Sequence, residues 1–413
     1  MSRYLPLLIA ALILFVIDLY AYQAIRHTAL SLSPVMKRVV AITYWMISAV
    51  TIGSIFLFAF YSPFEFPQAV RVIWFGAMII AYLPKIIMLP FLLMDDSGRL
   101  VRWIAAAFAP KSLPAGGKVI SRSDFLMQAG VLVSGLFMSG LIYGVLRGGY
   151  NYTTRRVLVK LPHLPEPFNG LRIVQISDIH SGSFTVTEPL RQAVALINAQ
   201  KPDLVFFTGD LVNNQTNEVL PYIGIFKNIS AKIGVYSILG NHDYGDYYTW
   251  PDEAAKKANL QQLADVHRAL GWKLLRNEHV LLGEENNQLA IIGMENWGTR
   301  FQKYGDMSKS YAGAEKASVK LLLSHDPSHW DAEVRQRYKA VDITFSGHTH
   351  GAQMGIEIPG FRWSPSQYLY KQWAGLYQEG NQYLYVNRGL GFLAYPGRLG
   401  IAPEITVMEL VKG

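Results

Sequence analysis

An α/β domain behind a four-helix membrane domain is the fold this sequence predicts, and three observations predict it. Residues 1–150 contain four apolar runs, near 5–24, 39–61, 70–94 and 126–146, each close to the ~20 residues an α-helix needs to cross ~30 Å of hydrocarbon. In the second domain, residues 151–413, the pattern from Leu171 on is short β-branched runs alternating with amphipathic helical stretches, the rhythm of an α/β domain. The polar residues of this second part recur at one place, the ends of the strands.

Composition agrees with a partly lipid-embedded chain. Of 413 residues, 51% are hydrophobic, high for a wholly soluble protein. There is no cysteine, which excludes disulfides, thiolate catalysis, iron–sulfur clusters and zinc fingers and leaves His, Asp, Glu and Asn as metal donors. The formal charge is +8, but many basic residues sit between the apolar runs, where they orient spans. No nucleic-acid partner is therefore expected.

The first run continues through Leu19, Tyr20 and Ala21 without a small-x-small cleavage site and three more runs follow, so it reads as a retained span. Loops one-to-two and three-to-four carry Arg26, Lys37, Arg38, Arg99, Arg102, Lys111, Lys118 and Arg122, against only Arg3 and Arg71 in the N-terminal tail and loop two-to-three. The positive-inside rule then puts the first set in the cytoplasm and the C-terminal domain outside. Arg147, Arg155, Arg156 and Lys160 pull the other way, so the cytoplasmic face is the alternative. Asp18 and Lys85 fall at similar depth in helices one and three, at ~1.5 Å of rise per residue, as an ion pair, a functional polar site or snorkelling side chains. Asp96-Ser97 offers a cap for a short helix, Gly98 to Phe108, whose Arg99, Arg102, Trp103 and Phe108 suit a lipid interface; an ordinary loop accounts for it equally well.

In the second part, "LRIVQISDIH" is a strand ending at Asp178 and His180. A helix follows, with Thr187 as N-cap, Glu188 and Pro189 in its first turn and Pro202 just beyond its end. "DLVFFTGDLVN" and "GVYSILGNHD" are the next strands, then a helix from about Asp252 to Leu270, strands around Val280 and Ile291, and the strands "VKLLLSHDP" and "VDITFSGHTHG". Five strand ends thus deliver Asp178 with His180, Asp210, Asn241 with His242 and Asp243, His325, and His348 with His350. In open α/β sheets this is where ligands collect. Each motif alone is a turn or a hydrogen-bonded histidine as readily as a ligand; the set in this order is hard to explain that way. His27, His163, His267, His279 and His329 have no such setting and read as structural. Glycines at 209, 240, 347 and 351 let the backbone turn sharply beside a ligand. Carboxylate, imidazole and amide donors without sulfur suit Mn2+, Fe or Zn2+.

Asp-x-His, Gly-Asp-x-x-Asn, Gly-Asn-His-Asp, a later His and Gly-His-x-His together resemble the signature of the calcineurin-like metallophosphoesterases. The resemblance covers about residues 168–413, and "LLLSHDP", "GHTHGAQ", "NRGLG" and "PEITVMEL" are most similar to its YkuE/YaeI-type bacterial branch. It implies a two-sheet β-sandwich flanked by helices. It also implies two divalent metal ions, Mn2+ foremost, one held by Asp178, His180, Asp210 and His350 and the other by Asp210, Asn241, His325 and His348, with Asp210 bridging. On that reading His242 faces the phosphate and Asp243 orients its ring, while His180 and His350 need acceptors for their outer nitrogens that the sequence does not identify. Asp210 is followed by Leu-Val-Asn-Asn-Gln, without the Arg of the Ser/Thr protein phosphatases, which speaks against a phosphoprotein substrate; Asn213 stands where many members have Asp, at a position that is not a direct ligand.

Three stretches are unusually aromatic: Tyr244 to Trp250, Tyr368 to Tyr377 and Gly391 to Gly397. The first reads as a substrate-facing lid and the other two as packing, although such rings also suit a membrane-interface mouth. With the four spans, and with relatives that hydrolyse the pyrophosphate of UDP-diacylglucosamine, the resemblance implies a membrane-anchored phosphodiesterase or pyrophosphatase acting on a lipid-linked or envelope phosphate ester. The alternatives are a phosphomonoesterase on a soluble substrate and a membrane sensor that uses the domain for ligand binding.

Overall fold

The computed structural model describes residues 4–61, 65–108, 122–285 and 287–413. Of the side chains that carried the sequence argument, those of Arg3, Phe108, Lys111, Lys118 and Arg122 lie outside the described ones. The chain forms two compact units, Met1–Tyr143 and Gly144–Gly413.

The first unit contains helices α1 (Tyr4–Thr28), α2 (Pro34–Phe60) and α3 (Gln68–Phe108) and most of α4 (Arg122–Leu146), all long and apolar enough to cross a membrane. Ser33 caps α2 by accepting the Met36 N–H at 3.3 Å, and Pro34, which has no N–H to lose, opens it. α3 differs from expectation: span three and the short helix after it are one helix of 41 residues. Asp96 caps nothing. Its carboxylate takes the Tyr20 hydroxyl at 2.5 Å and Arg99 at 3.0 Å, and Asp95 pairs with Arg99 at 2.7 Å one turn away, so the charges are satisfied without breaking the helix. At ~1.5 Å per residue α3 is about 60 Å long, twice the ~30 Å hydrocarbon core, so part of it runs beyond the lipid tails.

Asp18 and Lys85 pair. Lys85 Nζ lies 2.5 Å from Asp18 Oδ1, Tyr82 donates to Asp18 Oδ2 at 2.9 Å, and Tyr44 donates to the Asp18 carbonyl at 2.8 Å. Asp18 is fully buried, and the rings of Tyr44 and Tyr82 face the ammonium at 4.6 and 4.4 Å. Paired charges and hydroxyl donors are how ionisable groups persist where water is absent.

The second unit is built on two six-stranded sheets. Its strands are β1 (Thr153–Leu161), β2 (Leu171–Ile176), β3 (Leu204–Phe207), β4 (Gly234–Ser237), β5 (Trp272–Leu274), β6 (Glu278–Leu282), β7 (Leu289–Gly293), β8 (Val319–Leu323), β9 (Ile343–Ser346), β10 (Ile356–Ile358), β11 (Phe361–Trp363), β12 (Gly375–Glu379), β13 (Gln382–Val386) and β14 (Glu404–Lys412). One sheet runs β1-β14-β2-β3-β4-β5, the other β12-β13-β9-β8-β7-β6, and β10 and β11 form a separate hairpin. β2, β3, β4 and β5 are parallel neighbours in the first sheet, as are β7, β8, β9 and β13 in the second.

The sequence of β3 shows why the sheets stack. Leu204 and Phe206 enter the core between the sheets with Leu321 and Phe345, whereas Val205 and Phe207 pack under the helices of the outer face. Those helices include α5 (Glu188–Ala199), α6 (Ile223–Phe226) and α7 (Glu253–Ala269). A strand buried on both sides cannot alternate with polar residues, hence the continuous run Leu-Val-Phe-Phe. The second sheet covers its outer face with Trp330 and Val334 over Ile292 and Leu322. The two-sheet sandwich flanked by helices is therefore the fold, and the carboxyl ends of β2, β3, β4, β8 and β9 carry the loops that hold the polar motifs.

Candidate metal centre

Backbone strain marks the loops first. Asp178, His180, Asp210, His348 and His350 all have φ between 50° and 70°, the left-handed region that side chains other than glycine rarely adopt. Such conformations cost about 1–3 kcal/mol each and persist where the surroundings dictate them, typically at functional sites. Gly347 is needed for another reason. A Cβ there would collide with Ser177 Oγ and the Asp178 carboxylate, so only glycine admits the turn into His348.

Two groups of donor atoms result. In the first, His180 Nε2 lies 3.0 Å from His350 Nε2, which is 3.3 Å from Asp178 Oδ1. In the second, His325 Nε2 lies 3.3 Å from His348 Nδ1, which is 2.9 Å from Asn241 Oδ1. Asp210 joins them. Its Oδ2 is 3.5 Å from His180 Nε2 and 3.1 Å from His325 Nε2, while its Oδ1 is held by the backbone N–H of His242 at 2.9 Å. All seven predicted metal residues thus face one another, and the carboxylate expected to bridge spans both groups. Four imidazoles and two carboxylates this close, nearly all buried, suit cations better than any set of mutual hydrogen bonds.

Protonation is arranged for the same end. Burial holds the His180 imidazole down at about 3 and His348 at about 4, and burial followed by the neighbouring His180 and the Arg398 guanidinium keeps His350 well below the ordinary range. These rings stay neutral with lone pairs to give. His325 differs: burial opposes its charge, but the Asp210 carboxylate at 3.1 Å outweighs it and lifts the ring to about 10. Asp178 and Asp210 diverge as two adjacent carboxylates must. Burial and Asp210 raise Asp178 to about 6; burial resists ionisation of Asp210 too, but His325 and His242 hold it well below the usual range.

The surrounding residues orient these donors. The sequence did not identify the acceptor for His180: it is Asn213, whose Oδ1 lies 3.1 Å from Nδ1. His325 Nδ1 meets the Thr208 carbonyl at 2.7 Å. At His350 the neighbour is not the acceptor expected but a donor, Arg398 Nη2, 3.3 Å from Nδ1. Tyr370 sits 2.7 Å from His348 Nε2, and Tyr247 accepts from Asn241 Nδ2 at 2.9 Å. Signals for three of these were present, Asn213 in the Asp210 loop and Tyr247 and Tyr370 in aromatic stretches. Arg398 and Thr208 carried none, one because it lies far off in sequence and the other because it acts through its backbone.

The role expected for Asp243 needs correcting. The His242 ring is held by the Asn213 carbonyl, 2.8 Å from Nδ1, and not by Asp243. The Asp243 carboxylate accepts the N–H groups of Asp210, Leu211, Val212 and Gly240 at 2.8 to 3.2 Å, buckling the β3 and β4 loops together. Burial and the charge of Asp210 push that carboxyl up to about 7.

The aromatic stretches divide differently than expected. Tyr244 is buried and stacked on Tyr304 at 3.8 Å, a packing residue within the stretch read as a lid, whereas Tyr247 lies half-exposed over His242 at 4.7 Å. Phe392 and Tyr395 are core, as the packing reading has it, but Tyr370 reaches the donor cluster. The remaining histidines find ordinary partners: His27 with Asp124, His163 with Asp342, His267 with Ser237, His279 with the Ser310 carbonyl and His329 with Ser324.

Comparison with known proteins places both units. Residues 2–149 match the family described as "Probable Calcineurin-like phosphoesterase, transmembrane domain", and residues 171–352 match the calcineurin-like phosphoesterase family. The metallophosphoesterase YkuE of Bacillus subtilis is 31% identical over 303 residues, covering 71% of this chain and 98% of the relative. The UDP-2,3-diacylglucosamine pyrophosphatase LpxG of Chlamydia trachomatis is 28% identical over 280 residues, 55% of this chain and 81% of the relative. The phosphodiesterase YaeI of Escherichia coli is 25% identical over 297 residues, 71% of this chain and 100% of the relative.

Proposed function

The chain belongs to the calcineurin-like phosphoesterases and is a membrane-associated phosphoric ester hydrolase, and on that premise we propose that it cleaves a phosphodiester or pyrophosphate in a lipid-linked or cell-envelope substrate, using two divalent ions, Mn2+ foremost. Asp178, His180, Asp210 and His350 hold one ion, and Asp210, Asn241, His325 and His348 the other. The observation that carries this reading is Asp210 Oδ2, within 3.5 Å of nitrogens from both donor groups. LpxG, a pyrophosphatase of a diacylated sugar nucleotide by name, and YaeI, a phosphodiesterase by name, support the reaction class.

When bound, such a pair of cations supplies Lewis acidity to the phosphate oxygens and a water activated at neutral pH. The chain's own residues do the rest. Asp210 offers Oδ2 because the His242 N–H occupies Oδ1, and Asn213 fixes the His180 ring so that Nε2 faces inward. His242 donates Nδ1–H to the Asn213 carbonyl, which leaves Nε2 as the nitrogen that meets substrate, and the imidazolium form carries there the second proton that passes to the leaving oxygen. Asp243 keeps Asp210 and Asn241 at a fixed separation by tying their loops. Asp210→Ala should abolish hydrolysis of bis-p-nitrophenyl phosphate with Mn2+, a drop of ~10³ or more by the scale of metal-centred catalysis. Unchanged turnover would overturn the assignment of the site.

A further inference from the structure

Sheets normally bury their apolar face, and the β10–β11 hairpin does the reverse. Its register pairs Ile356 with Trp363, Glu357 with Arg362 and Ile358 with Phe361. By alternation Ile356, Ile358, Phe361 and Trp363 share one face and the charged pair the other. The charged face is the one engaged with the domain. Glu357 is bound by Arg155 and the buried Arg388, each at 2.6 Å, and Arg362 donates to the Ala374 carbonyl at 2.6 Å over the Trp373 ring. The apolar face is exposed, with Ile358 at 58% and Phe361 at 52%.

This face continues into the 365–370 segment, where Tyr368 is 73% and Leu369 59% exposed and the Tyr368 hydroxyl lies 3.3 Å from Trp363 Nε1. Of the thirteen exposed large apolar side chains among the described residues from Leu158 onward, six fall between Ile356 and Leu376, which makes a patch rather than scatter. Rings with a polar tip, flanked by the exposed Arg362 and Lys371, match the chemistry of an anionic bilayer interface, apolar below and charged above. A short tether keeps the domain beside one. Residues 147–152 alone link α4 to β1, at most about 20 Å of chain at ~3.5 Å per residue. The hairpin springs from Gln353 and Gly355, whose backbones bond Leu399, so it is fixed to the domain at its base. The next residue after Leu369 is Tyr370, 2.7 Å from His348 Nε2, so the patch borders the donor cluster.

We propose that the exposed face of the hairpin and the 365–370 segment form a membrane-docking surface that seats in the bilayer interface and presents the site to a phosphate group carried at headgroup level by a bilayer lipid. The lipid-substrate half rests on the phosphoesterase reading; the docking half does not.

The absence of cysteine gives a direct test, because one introduced thiol is a unique label site. Full-length Ile358→Cys and Phe361→Cys, labelled with an environment-sensitive fluorophore in nanodiscs of phosphatidylcholine and phosphatidylglycerol, should be quenched at least twofold by doxyl-labelled lipid. Leu196→Cys on α5 and Leu281→Cys on β6, also exposed, serve as controls. Quenching at the hairpin no greater than at the controls overturns the proposal, as does cross-linking of Ile358→Cys between copies with unquenched label, which would make the face a protein interface. In an activity arm, Ile358→Glu/Phe361→Glu should hydrolyse vesicle-borne hexadecyl p-nitrophenyl phosphate roughly tenfold more slowly, the loss expected from removing two interfacial apolar side chains, with bis-p-nitrophenyl phosphate turnover unchanged. An equal loss on both substrates makes the hairpin a support of the site and overturns the lipid-presentation half. A wild type inactive on both fails the phosphoesterase reading instead, while the quenching still decides docking.

Discussion

At the scale of single residues, the centre depends on side chains that never touch substrate. Asn213 holds His180 by one contact at 3.1 Å, and its backbone carbonyl holds His242 at 2.8 Å. Asn213→Ala removes only the first. Loss of such an orienting partner weakens metal sites by ~10–100-fold, so Mn2+ titration of the variant by calorimetry should show one of two ions binding that much more weakly. An unaltered titration would deny Asn213 this role. His267 shows a different dependence. Burial holds its ring down to about 3, against 6.5 in an exposed histidine, so below about 6.5 the unfolded chain takes up a proton that the folded one refuses. Stability tied to this group is complete above that pH and is lost as the pH falls toward 3, amounting to ~2 kcal/mol between pH 7 and 5. His267→Gln should flatten the acid dependence of the melting temperature over that interval; parallel curves for variant and wild type would refute it.

At the scale of elements, the membrane helices test how a paired charge is maintained. Removing one partner of a buried pair costs ~3–5 kcal/mol, whereas replacing both with apolar residues of similar size is often neutral. Lys85→Met alone should therefore lower the thermal stability of the detergent-solubilised protein sharply, and Asp18→Leu with Lys85→Met should restore most of it; equal losses in the single and double variants would rule out pairing as the reason the two persist. The same elements show what the chain discloses of its fold. Strand β3 was legible because burial on both faces writes an uninterrupted apolar run that a glycine turn ends; β9 ends on a glycine turn too, and β2 and β8 were legible as mainly apolar runs that end abruptly on a polar motif. β1 and β12 were not, since these edge strands, "TTRRVLVKL" and "GLYQE", carry charged and polar residues among the apolar ones, and neither was β13, whose tyrosines in "QYLYV" mask its burial between β12 and β9. α3 misled because Asp96-Ser97 looks like a helix cap until Arg99 is seen to neutralise Asp95 and Asp96 along one surface. At the site, strand ends announced the donors, while Arg398 and Thr208 belong to a layer that only folding assembles.

At the scale of the whole molecule, the excess of basic residues in loops one-to-two and three-to-four is the ground on which we propose that the hydrolase works outside. With the domain outside, protease added to intact cells should remove residues beyond α4 and leave the four spans; a domain protected until the cells are lysed would put it in the cytoplasm. The order of the strands bears on what holds the first sheet to the tether. β1, the first strand after the spans, is an edge that pairs only with β14, the final strand, and β14 also joins β1 to β2. Until β14 docks between them, β1 and β2 have no connection within the sheet, so the strand that follows the spans is held in the hydrolase by a segment distant from it in sequence. Deleting 404–412 should therefore release β1 and expose one side of β2, which makes this single strand the clasp between the tether and the rest of the sheet.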